Sequence, residues 1–201
     1  MTTESPHIAF SEAYAYVLKY FEQVAKLLVD ANLAMERDGF TMLRPNGEAL
    51  VGGPNAHVGR ANTWLANWLF MFYAPTDAFG GRKYGVASVS VSAIPFIGVG
   101  MHGTETGGPA AYVGWLAPTE STEDVVEKSI RRYFDSIDST HLNPTPKPVT
   151  STSEISWTPV PHCYQPLHVA LVIVPLDLIT GPRVIDELVA NLGVAVRAAS
   201  G

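Results

Sequence analysis

Residues 98–115 read GVGMHGTETGGPAAYVGW, and the reading of this stretch decides the fold. Glycines at 98, 100 and 103 satisfy the dinucleotide fingerprint G-x-G-x-x-G. In that fingerprint a strand runs through the glycines into a helix, whose N-terminus receives the pyrophosphate, and the next strand returns parallel to the first. Here the glycines lead into TETGGP (104–109), which cannot open a helix of any length. The next ordered segment, AAYVGWLAP (110–118), reads as a strand. The Lys followed by Ser or Thr of a phosphate loop is also missing. The stretch therefore reads as a glycine-rich hairpin or loop, and no nucleotide or other cofactor is expected.

Strands continue on both sides of it. In YGVASVSVSAIPF (84–96), Ala87, Val89, Val91 and Ala93 point one way while Ser88, Ser90 and Ser92 point the other, and Pro95 ends the strand or places it at an edge. WLANWLFMFYA (64–74) is apolar on both faces and rich in aromatics, which favours a buried strand, while its length of 11 also allows a helix. FTMLR (40–44) is a shorter strand, and 45–62 hold turn chemistry. Downstream, ISWTPV (155–160) is a strand. LHVALVIV (167–174) is nearly continuous in Val, Leu and Ile, as a central strand covered on both faces should be.

Three helices complete the pattern. The first spans 11–38, capped by Ser11 and stopped by Gly39, with Tyr14, Val17, Leu18, Phe21, Ala25, Leu28, Asn32 and Met35 along its inner stripe. At 1.5 Å per residue it is roughly 40 Å long. A second helix is expected over 122–137, with Val126, Ile130, Tyr133, Phe134 and Ile137 inward. The last spans 182–197 and opens at Pro182. Between them, 139–154 is a Pro/Ser/Thr-rich surface excursion. The fold class is α+β: residues 1–201 as a single domain, a mainly antiparallel sheet covered by three helices.

Composition narrows the function. Charged residues make up 16% of the chain, against ~25% in an average soluble protein. A surface so poor in charge hints at apolar area covered by a partner. The net charge of −6 argues against nucleic acid. No apolar run reaches the ~18 residues of a membrane span, and MTTESPHIAF lacks the basic and apolar regions of a secretory signal. Cys163 stands alone, which fits a reducing cytoplasm.

The chemistry-bearing side chains are scattered. His102 and Glu105 sit in the glycine-rich segment, and His162, Cys163 and His168 in PHCYQPLH, without the spacing of a zinc site. No metal is expected. Trp64, Trp68, Tyr73, Tyr112 and Trp115 fall on two predicted strands and are candidates for a binding surface, although a core role serves most of them. The sequence thus points to a non-catalytic cytoplasmic domain for protein binding or homo-oligomerisation, of accessory, immunity-type or regulatory kind. A homodimer through the first helix or through 64–74 is the expected assembly. The alternative is a small hydrolase or transferase in which the His102/Glu105 loop meets the Cys163/His168 segment.

Overall fold

The glycine-rich stretch joins two antiparallel strands. In the computed structural model, which describes residues 6–43, 50–52, 68–79, 91–100, 108–118, 147–152, 155–161 and 167–200, strand β4 (Ile94–Gly100) pairs antiparallel with β5 (Ala110–Pro118). Their register runs from Gly100 opposite Ala110 to Ile94 opposite Leu116. A dinucleotide-binding crossover requires a parallel return, so the fingerprint match carries no such topology.

The seven described strands form one sheet. The others are β1 (Phe40–Met42), β2 (Leu50–Gly52), β3 (Trp68–Pro75), β6 (Thr158–Pro161) and β7 (Leu167–Pro175). Their order is β1-β3-β4-β5-β7-β6, with β2 also on β3, and every pairing is antiparallel. β1 and β2 meet opposite halves of β3, so that edge is interrupted between them. β6 at the other edge contains Pro159 and Pro161. Short or proline-bearing edges resist pairing with a second sheet.

Gly98 explains why the strand needs glycine. It lies opposite Phe70, and a Cβ added there would fall within 3.0 Å of the Phe70 ring. The glycine leaves room for that ring, which packs with Phe72, Phe96 and Tyr112 at centroid distances of 5.9–6.5 Å. Within the strand expected over 84–96, Val91–Ala93 are irregular and β4 begins at Ile94, and it runs on through Gly98 and Gly100. Residues 84–90 lie outside the described ones. Pro95 neither ends the strand nor marks a sheet edge. It sits inside β4, and the missing N–H is tolerated because pairing with β3 stops at Phe96.

Two helices are found among the described residues, α1 (Pro6–Arg37) and α2 (Pro182–Ser200); the helix expected over 122–137 lies outside them. Both pack on one sheet face. There Val24, Leu28, Ala31 and Met35 of α1 and Ile185, Val189, Leu192 and Val196 of α2 meet Met71, Tyr73, Ile97, Val99 and Val113. The opposite face is also buried, through Phe70, Phe72, Phe96, Tyr112, Leu116, Val169, Leu171 and Ile173. Arg37 pairs with Asp186 and Arg197 with Asp38, clamping the C-terminal end of α1 to α2. Gly39 then takes φ +86, the left-handed stop that favours glycine.

α1 departs from expectation in two ways. It opens at Pro6, where a missing N–H is harmless, so Ser11 is an interior residue and not the cap. Its inner stripe also differs. Leu28 and Met35 are buried, but Tyr14, Leu18 and Ala25 are exposed. Apart from Val17, the expected positions, 14, 18, 21, 25, 28, 32 and 35, repeat every 3.5 residues, whereas a straight helix turns every 3.6. Such a stripe drifts by ~20° per heptad. It starts on the outer surface at Tyr14 and reaches the core only by Leu28.

Candidate protein-binding surface

The outer face of α1 is the described surface with the most exposed apolar residues. At 1.5 Å per residue the 32-residue helix is ~48 Å long, while the nine residues of β5 or β7 span ~30 Å. The helix therefore overhangs the sheet. From Ser11 to Lys19 every side chain but that of Val17 is exposed, and Val24 is the first buried side chain after Ser11. Along the outer face Tyr14 is 58% exposed, Leu18 45%, Val29 57% and Leu33 51%, where surface leucines and valines at this density are unusual. Tyr14 and Leu18 are visible in the sequence as apolar positions, although the 3.5-residue stripe places them inward. Val29 and Leu33 are not on that stripe at all; a count at 11 residues per three turns finds them, from Leu18 to Val29 and from Glu22 to Leu33.

The aromatic candidates lie elsewhere. Tyr73 and Tyr112 are fully buried, and so offer no binding surface, because β3 and β5 are inner strands covered on both faces. The Tyr73 hydroxyl donates to the Met71 sulfur at 3.5 Å, and burial, followed by the nearby Glu36, holds its pKa far above the usual tyrosine range. Trp115 is half-buried on the helix-covered face, edge-on to Trp157 at 5.2 Å. Trp68 stands in β3 opposite Gly52 and Gly100, and Trp64 lies outside the described residues.

Of the residues of the alternative enzymatic site, His168 alone lies among the described ones. His168 is in β7, opposite Ala117 of β5 and Pro161 of β6. The segment holding His102 and Glu105 leaves the sheet at Gly100 and re-enters at Ala110. Those strand ends are seven residues along β5 from Ala117, or ~24 Å at 3.4 Å per residue. His102, Glu105, His162 and Cys163 themselves lie outside the described residues. Among the described ones, no three His, Cys, Asp or Glu residues cluster in a way that could hold a metal ion.

Two concavities flank the helices and β7. One of ~800 Å³ is lined by Pro109, Lys147, Val149, Pro175, Leu176 and Asp177, mostly apolar with one charge of each sign. The other, ~270 Å³, lies between α1 and the start of α2, beside Tyr20, Lys26, Asp30, Ile179 and Ile185. Burial, then the neighbouring Tyr16, raises the Tyr20 pKa. Each lining also holds a threonine, Thr150 in the first and Thr180 in the second. No helix of the described residues is long and apolar enough to cross a membrane. Compared with protein-family models, curated proteins and solved structures, the chain matches none of them.

Proposed function

We propose that this chain is a non-catalytic, cytoplasmic domain for protein binding or self-association, working through the outer face of α1. The observation that carries the reading is the exposure of Tyr14, Leu18, Val29 and Leu33 on a helix that extends past its own sheet. The packed core needs only the inward side of α1, from Val24 onward. An apolar outer side exposed to water is unfavourable for an isolated chain and favourable for one that binds a protein surface. The low charge content and the lone Cys163 support the same reading.

The test is a comparison of wild type with Leu18→Lys/Val29→Lys. Both side chains are exposed, so the fold is expected to persist. Wild type should show a light-scattering mass above 21.7 kDa, or retain specific protein partners, and the variant should lose whichever is seen. If mass and retained partners are identical in the two proteins, the outer face of α1 is not a binding surface and the reading falls.

A further inference from the structure

Resting on that reading, we infer that the partner of α1 is a second copy of this chain, paired antiparallel along the helix about a twofold axis near Gln23 and Val24. The outer stripe runs Tyr14, Leu18, Glu22, Ala25, Val29 and Leu33, with spacings of 4, 4, 3, 4 and 4. An 11-residue repeat of this kind stays on one side of a nearly straight helix. Two such stripes can therefore lie along each other for the ~30 Å between Tyr14 and Leu33.

The stripe is self-complementary when reversed. An axis midway between positions 23 and 24 sets Tyr14 level with Leu33 of the second copy, Leu18 with Val29, and Glu22 with Ala25. The charges beside the stripe obey the same axis. Glu22 comes within one residue of register with Lys26 of the second copy, while Lys19 lies two residues from both Asp30 and Lys26, so that its attraction and repulsion offset. At 1.5 Å of rise per residue these offsets are ~3 Å or less, within reach of long side chains. Glu22, Lys19 and Lys26 are exposed and Asp30 half-exposed, so all four are on the accessible side. Twofold symmetry repeats the Glu22–Lys26 pair, giving two net opposite-charge contacts beside the seam. A parallel pairing would instead set each charge level with its own copy, which is repulsive. In coiled-coil pairing, flanking charges of this kind select orientation more than they add affinity.

Charge reversal tests the register. Glu22→Lys alone sets an ammonium beside Lys26 of the second copy on both sides of the axis, and Lys26→Glu alone sets two carboxylates together there. Each variant is expected to weaken the dimer by on the order of tenfold. Mixed in equal amounts, the two form a heterodimer in which both such contacts pair an ammonium with a carboxylate, so mixing should restore dimerisation that neither variant shows alone. The double variant Glu22→Lys/Lys26→Glu restores both attractions with the signs exchanged, and should dimerise with an affinity within about threefold of wild type. In a Cys163→Ser background, Leu18→Cys and Val29→Cys chains should form a disulfide dimer when mixed, and neither should form one alone. Circular dichroism of each variant checks that the fold is kept. Leu18→Cys chains that cross-link to themselves would overturn the antiparallel register while leaving α1 as the contact. A dimer indifferent to all these changes would overturn the role of α1. A wild-type mass of 21.7 kDa at about 100 μM, on the order of the weakest specific dimers, would overturn self-pairing. The wider protein-binding reading would then stand or fall on the partners lost from Leu18→Lys/Val29→Lys.

Discussion

Gly98→Ala separates a structural glycine from one that makes room for a ligand. In the folded protein the added Cβ would lie within 3.0 Å of Cγ, Cδ1 and Cε1 of Phe70. Cγ is anchored to the Phe70 backbone through one further carbon, so the ring cannot swing clear as a flexible chain end would. It is also confined, since Phe70 is 1% exposed and packs against Phe72, Phe96 and Tyr112. Overpacking of this kind costs ~3 kcal/mol at the upper end of the usual range. Replacing a strand glycine by alanine returns ~0.5–1 kcal/mol of backbone entropy. The net loss should be about 2 kcal/mol, read in urea unfolding as a midpoint ~1 M lower at a slope near ~2 kcal/mol/M. Gly108→Ala is the control: a Cβ there meets nothing within 4 Å, and its stability should stay within ~0.5 kcal/mol of wild type. Adding Phe70→Leu should make the Gly98→Ala protein more tolerant, with a coupling of ~1 kcal/mol between the sites. A Gly98→Ala midpoint equal to that of Gly108→Ala would refute the packing of Phe70 on Gly98.

Two further outcomes are expected. Melting in the presence of ATP, GTP or NAD should show no stabilisation, because β4 and β5 are antiparallel; a stabilisation abolished by Gly103→Phe would overturn this. The Tyr73 hydroxyl is held protonated by burial, with a pKa raised far above the ~10 of an unfolded tyrosine. Its contribution is therefore fully present below pH ~10 and is lost as pH rises further, since only the unfolded chain then releases the proton. Tyr73→Phe should lose less stability than wild type between about pH 10 and 12 in denaturant titrations. Identical alkaline profiles would show that Tyr73 ionises in the folded state.

Much of the scaffold is legible in the amino-acid order alone. The continuous Val/Leu/Ile run of 167–174 marks an inner strand, and β7 does lie between β5 and β6 with both faces buried. Gly39 and Pro182 punctuate helices where their backbone chemistry requires. These are local properties, set by φ preferences and by side-chain periodicity, so they survive without knowledge of distant contacts. Three other matters depend on what each segment packs against. Gly98 and Gly100 look like loop residues until β3 is placed across from them, with Phe70 over Gly98. Tyr73 and Tyr112 read equally well as surface or core until the strand order puts them inside. α1 carries apolar residues around more than half its circumference, and periodicity cannot say which side meets the sheet. The position of the sheet decides that. It turns Val24, Leu28, Ala31 and Met35 inward and leaves Tyr14, Leu18, Val29 and Leu33 in water, because the sheet covers one side of the helix and the two sets lie on different sides of it.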